Sequence, residues 1–111
     1  MKKAYRVCKN YEFSSIIQQH TFVKSSSFVV YYVDRKEDQA RVGISVGKKL
    51  GNAVKRNKIK RQVRSMIDEI YDFNESYDTI LIVRPHYLRF SYTENKKQLY
   101  DLKRRIDKRK G

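Results

Sequence analysis

The residues with the plainest chemistry lie between Lys48 and Arg64, in the run KKLGNAVKRNKIKRQVR. Eight of them are cationic (Lys48, Lys49, Lys55, Arg56, Lys58, Lys60, Arg61 and Arg64) and none is acidic. At about 100° per residue, Arg56, Lys60 and Arg64 line up beside an apolar stripe, with Asn57 and Arg61 just beyond them. The charge order is the reverse of what favours an isolated helix. Lys55 and Arg56 fall at the end where the helix dipole is positive, whereas Asp68, Glu69 and Asp72 fall at the negative end. Each exposed misplacement costs roughly 0.3–1 kcal/mol at low salt. An anionic partner at the N-terminal end offsets that cost, and Gly47 and Gly51 flank an end suited to phosphate. The pattern points to a helix that grips a phosphate backbone rather than to a solvated face.

Other candidates carry less. Asp68, Glu69 and Asp72 are the only carboxylate cluster that could hold a catalytic Mg²⁺. They lie off the apolar face without a tied His, so solvation or pairing with Arg64 is the simpler reading. His20 and His86 are too isolated for a zinc site. Cys8 is alone, which excludes an internal disulfide and fits a reducing cytoplasm. The aromatic residues are the second binding candidate. Phe28, Val30 and Tyr32 share one side of a strand, and Val29, Tyr31 and Val33 the other. With Phe13 and Ile17 nearby, strand aromatics could line a groove where unpaired bases stack, at roughly 1–3 kcal/mol per base. Ordinary core packing explains the same spacing equally well.

Several elements must position these residues. Asn52 reads as an N-cap, and Ile59, Val63, Met66, Ile67 and Ile70 predict an amphipathic helix from about Ala53 to Tyr71. Phe13, Ile16, Ile17 and His20 predict a short helix from Asn10 to near His20. Residues 21–24 could begin a strand. FVVYYV (Phe28–Val33) is a strand by composition, and ARVGISV alternates as a half-buried one. The polar DRKEDQ between them suggests an antiparallel hairpin. TILIVR (Thr79–Arg84) is the continuous apolar run of a central strand. Ser91-x-x-Glu94 is a capping-box signature that opens a last helix through Tyr92, Leu99, Leu102 and Ile106. The order is α-β-β-β-α-β-α, an α+β sandwich in a single domain over residues 1–111. The basic stretches 1–9 and 103–110 are expected to fray or trail into solvent, with 107–111 flexible.

Composition bounds the function. The 111 residues hold 26 Lys or Arg against 12 Asp or Glu, a formal net charge of +14. Such an excess suits a polyanion and opposes compaction until it is neutralised. Nine tyrosines and five phenylalanines argue against disorder. No apolar run approaches the roughly 18 residues that span a membrane, and the start, MKKAYRVCKNYEF, lacks the apolar core of a secretory signal. These observations favour a cytoplasmic, single-domain RNA binder without an active site of its own.

VGISVGKKLGNAVKRNKIKRQVR also resembles the signature of the protein subunit of bacterial ribonuclease P. The family's Arg-Asn-x-x-Lys-Arg-x-x-Arg run stands here as Arg56, Asn57, Lys60, Arg61 and Arg64, with Lys48, Lys49 and Gly51-Asn52-Ala53-Val54 upstream. The likeness extends along nearly the whole chain. It implies an α-β sandwich with a left-handed β-α-β crossover, against the usual hand. It also implies removal of the 5′ leader from precursor tRNA by a holoenzyme whose RNA subunit does the chemistry with Mg²⁺, largely RNA-held. The implied partners are that catalytic RNA and precursor tRNA, with no membrane and no obligatory protein partner. Lys48, Lys49, Arg56, Asn57, Lys60, Arg61 and Arg64 would face the catalytic RNA. Phe13 and Tyr31, with Ile17, Phe28 and Tyr32, would form the leader cleft. Ile17 stands where relatives often have an aromatic. The rival readings are a ribosomal-type RNA binder, which would not distinguish precursor from mature tRNA, and an independent metal nuclease.

Overall fold

The computed structural model describes Arg6 and residues 10–111. The expected frayed start and Cys8 otherwise lie outside the described residues; Arg6 makes a parallel backbone bridge with Val42. The elements follow the order read from the sequence: α1 (Asn10–Gln18), β1 (Phe22–Lys24), β2 (Phe28–Asp34), β3 (Val42–Val46), α2 (Ala53–Ile70), β4 (Tyr77–Val83) and α3 (Tyr92–Lys110). Short 3-10 turns at Lys48–Leu50 and Pro85–Arg89 precede α2 and α3.

The sheet runs β1-β2-β4-β3. The expected hairpin between β2 and β3 is therefore corrected, because β4 lies between them. β4 pairs antiparallel with β2 and parallel with β3. The physical reason lies in β4 itself: Ile80 and Leu81 are fully buried, so this strand belongs at the centre. The link between β2 and β3 is long enough to step over one strand, about 10 Å for two strand spacings. A parallel neighbour then requires a crossover, and α2 supplies it.

The two faces of the sheet are unequal. Phe28, Val30 and Tyr32 of β2, Val42 and Val46 of β3 and Leu81 and Val83 of β4 pack against α2 and α3 in the main core. On the other face, Val33 and Ile80 meet Ile16 of α1, with Phe13, Ile17, Tyr31 and Ile82 only partly covered. A nine-residue helix cannot cover the whole sheet, and these side chains stay partly open beside it.

Hydrogen bonds hold the frame. Arg41 Nη2 donates to Glu12 Oε2 at 2.6 Å and to Asp78 Oδ2 at 3.3 Å, and the Arg41 amide donates to Asp78 Oδ1 at 2.9 Å. This ties α1 to β4 through a largely buried ion network. The Glu12 hydrogen bond holds the Arg41 guanidinium above its ordinary pKa, outweighing desolvation. The capping box of α3 is formed by Ser91 and Glu94. The basic end of the chain does not trail into solvent. Ile106 is fully buried, Tyr77 donates to Asp107 at 2.6 Å, and Arg109 reaches the Phe22 carbonyl, so α3 stays ordered as a helix to Lys110.

Candidate nucleic-acid interface

The local sequence builds the basic surface in two steps. Leu50, 1% exposed, anchors the turn at Lys48–Leu50 in the core, and this leaves Lys48 and Lys49 in solvent. Gly51 then adopts φ 126°, a conformation that strains other residues, and redirects the chain into α2. The Asn52 side chain accepts from the Lys55 amide at 3.0 Å and caps the helix.

Ile59, Val63, Met66 and Ile67 bury one face of α2. Val54, Asn57, Lys60, Arg61 and Arg64 line a shallow groove on the flank and outer side. Arg56 and Arg64 are half-buried, and each has a shielded Nε without a hydrogen-bond partner. A buried donor left in that state is uncommon in folded proteins. Among the described residues none of the eight cations from Lys48 to Arg64 forms an ion pair. The inner cations of α3 behave differently. Lys96 pairs with Glu69 at 2.8 Å, Lys103 with Asp107 at 2.9 Å and Glu75 at 3.3 Å, and Lys110 with Asp34. Burial lowers the Lys103 pKa, but its carboxylate partners raise it by more. The sequence-predicted cluster Lys48, Lys49, Arg56, Asn57, Lys60, Arg61 and Arg64 is thus brought onto one connected stretch with its charge uncompensated.

The aromatic candidates separate by face. Phe13, Ile17 and Tyr31 share the partly covered side between α1 and the sheet, packed on Ile16, Val33 and Ile80. Phe28 and Tyr32 do not: they are 0% and 5% exposed and point into the opposite core. Their placement in a leader cleft is corrected, since strand alternation turns them away from Tyr31. Phe28 packs edge-on against Tyr87, and the Tyr32 hydroxyl accepts from Arg109.

Two residues that touch this group are not marked by the sequence pattern. Phe22, 36% exposed, pairs across β1–β2 with Tyr31, their ring centroids 5.2 Å apart. Its place on the same exposed side as Lys24, with Val23 buried between them, is the one available signal. Gly43 is the floor under Phe13: a methyl group added there would sit 2.6 Å from Phe13 Cζ and 2.7 Å from Ile80 Cδ1. No periodicity marks such a glycine.

The likeness to known proteins accords with this arrangement. A family model described as Ribonuclease P matches residues 1–107. The ribonuclease P protein component of Mesoplasma florum is 48% identical over 104 residues, covering 92% of this chain and 94% of its own length. That of Bacillus cereus strain AH187 is 42% identical over 101 residues, 89% of this chain and 88% of its own. The solved Staphylococcus aureus RNase P protein superposes with a TM-score of 0.84 at 37% identity, over 94% of this chain and 96% of that one. The Thermotoga maritima protein superposes with a TM-score of 0.77 at 28% identity, over 89% and 96%. With its sequence matched along nearly the whole length and its fold shared, the chain belongs to the ribonuclease P protein family.

Proposed function

We propose that this chain is the accessory protein subunit of ribonuclease P. It binds the catalytic RNA through α2 and the preceding turn, and the single-stranded 5′ leader of precursor tRNA in the cleft beside α1. The observation that carries the reading is the row of eight unpaired cations from Lys48 to Arg64 on a chain of net charge +14. Phosphates neutralise such a row and release their counterions, giving a steep salt dependence. The Arg56 and Arg64 guanidinium groups carry the planar fork of N–H donors that suits phosphate oxygens. In the cleft, Phe13, Tyr31 and Phe22 offer apolar and aromatic surface to unstacked bases, a mode that favours single strands. Ile17 adds packing there without a stacking ring.

The carboxylates nearest a metal-binding pattern do not fit a Mg²⁺ site. Glu69 Oε2 accepts from Lys96 at 2.8 Å, and Asp72 Oδ1 accepts from the Asn74 amide at 2.9 Å. That amide bond holds the Asp72 carboxyl below its ordinary pKa. Among the described residues no group of three or more His, Cys, Asp or Glu is placed to hold a metal. We assign Mg²⁺ to the RNA of the holoenzyme and the cleavage chemistry with it. This chain's residues bind, orient the leader and screen phosphate repulsion between the two RNAs. Such work belongs to the cytoplasm, where precursor tRNA is made. No helix among the described residues is long and apolar enough to cross a membrane.

The test is cleavage of precursor tRNA at low Mg²⁺ by the protein alone, the RNA subunit alone, and both together. Cleavage at the mature 5′ end only with both is expected. Cleavage by the purified protein alone would overturn the reading and implicate the Asp68–Glu69–Asp72 cluster.

A further inference from the structure

β1 is the shortest strand of the sheet and lies at its edge, with β2 as its one neighbour in the strand order. A three-residue edge strand has little backbone support of its own and frays readily. Its register sets Phe22 opposite Tyr31, and Val23, buried in the main core, opposite Val30. The Tyr32 amide donates to the Thr21 carbonyl at 3.1 Å. Peptide groups alternate along an antiparallel pair, so the next carbonyl, that of Phe22, points away from β2 to the open edge. Phe22 and Tyr31 are thus a non-hydrogen-bonded pair, the kind that brings side chains closest, and their rings touch on the α1 side. Phe22 is nevertheless partly exposed, so packing holds its ring only in part, and the backbone that carries it must be fixed from elsewhere.

α3 supplies that support from the opposite face. Just past one end of β1, Gln98 Oε1 accepts from Ser25 Oγ at 2.7 Å and from the Ser27 amide at 3.0 Å. Arg109, about three turns further along α3, holds the other end. Its Nη1 donates to the Phe22 carbonyl and to the Tyr32 hydroxyl, each at 3.2 Å. Lys110 pairs with Asp34 at the end of β2. Leu99, Leu102 and Ile106 form the buried seam of α3, and Arg109 follows at the same three-and-four spacing. The seam therefore ends in a guanidinium that bridges β1 and β2 directly behind the residues whose rings meet on the α1 side.

We propose that Arg109 is a positioning residue for the leader. By tying the Phe22 carbonyl to α3 it keeps β1 in register and holds the Phe22 ring against Tyr31, as the stacking surface that Ile17 does not supply. The inference rests on the reading of the α1 side of the sheet as the leader site. Arg109 lies on the α3 side and the Phe22 ring on the α1 side, so Arg109 acts through the strand and not by touching a base. Small displacements of a positioning group are costly to the site it serves, which gives the last turn of α3 a function beyond closing the core.

The test measures the affinity of the holoenzyme, protein plus catalytic RNA, for precursor and for mature tRNA with Phe22→Ala, Arg109→Ala and the double variant. Phe22→Ala is expected to weaken precursor binding by about fivefold or more, the loss of one stacking surface, and to leave mature tRNA unchanged. Arg109→Ala is expected to weaken precursor binding by about threefold or more, within the Phe22 loss, and again to spare mature tRNA. Once Phe22 is alanine, removing Arg109 should cost nothing further, and the salt dependence of precursor binding should keep its slope. Additive losses with a slope lowered by about one would make Arg109 a phosphate contact and overturn the proposal. No loss, or equal losses for the two tRNAs, overturns it as well. Tyr31→Ala is the reference: where it weakens precursor binding and Arg109→Ala does not, the positioning role alone fails. Where neither does, the leader reading has failed too. Thermal melting checks the fold, and Arg109→Gln, which keeps part of the stem, repeats the measurement should the alanine variant melt low.

Discussion

Gly43 and Phe13 show how one missing side chain shapes the candidate leader cleft. The ring of Phe13 occupies the space where any Cβ on residue 43 would stand. Gly43→Ala is expected to push Phe13 outward and to cost roughly 1–3 kcal/mol, the usual penalty for overpacking. Thermal melting reads the stability loss, and leader-dependent binding should weaken with it. Tyr31→Ala removes a half-buried ring from the same cleft. It should weaken binding of precursor tRNA more than of mature tRNA, by roughly 1–3 kcal/mol if one base stacks there. Equal losses for the two RNAs, measured by titration, would make Tyr31 a packing residue only. Tyr87, by contrast, is a structural residue: burial raises its pKa to about 12 while it donates to Gln62 at 2.8 Å.

Among the elements, the connection between α2 and β4 carries the most unusual electrostatics. Glu75 is 8% exposed, and one of its carboxylate oxygens has no partner. Burial holds its pKa above the ordinary glutamate value, despite the nearby Lys103. An acid whose folded pKa exceeds its unfolded one favours the fold while it is protonated. That contribution is complete below the ordinary glutamate pKa and is lost as pH rises through the folded value. Glu75→Gln imitates the protonated form and keeps an acceptor for the Asp72 amide. Its melting temperature should match the native protein at acidic pH and exceed it increasingly as pH rises toward neutrality. A constant difference across that range would show that Lys103 compensates the charge. The helices were the most legible elements in the sequence, because α2 and α3 each bury one face at helical spacing. Strand pairing was less so. Local turn length says nothing of a third strand that arrives more than forty residues later and inserts itself between β2 and β3. The end of α3 was misread because KRRIDKRK shows a single apolar residue, Ile106, and its tertiary partners Asp34 and Phe22 lie far away in the chain.

At the scale of the whole molecule, charge outweighs every other feature. The formal net charge is +14, and among the described residues the eight cations from Lys48 to Arg64 form no ion pair. Self-repulsion of this kind weakens as the Debye length shortens. Raising NaCl from about 0.02 to 0.2 M should therefore raise the melting temperature of the free protein by several degrees, where 1 kcal/mol corresponds to about 4–8 °C. A fall over that range would mean that the Arg41 and Lys103 ion networks outweigh the repulsion. Basic surface, aromatic content and helix count could all be read from composition and spacing. The division of the sheet into a closed face and a half-open one could not, because it depends on α1 being too short to cover β2 and β4.

The late position of β4 has a consequence for synthesis on the ribosome. β2 and β3 share no hydrogen bonds, and both gain their shared neighbour only when β4 arrives. Until then the emerging chain holds a β1–β2 ribbon, a β3 bridged only at Val42 by Arg6, and a helix with no central strand to pack on. Isolated two-stranded ribbons are marginal in water. The nascent chain should stay protease-sensitive until β4 and then the core face of α3, through Ile106, have cleared the exit tunnel. During that interval its cationic α2 is already outside, free to meet RNA before the fold has closed.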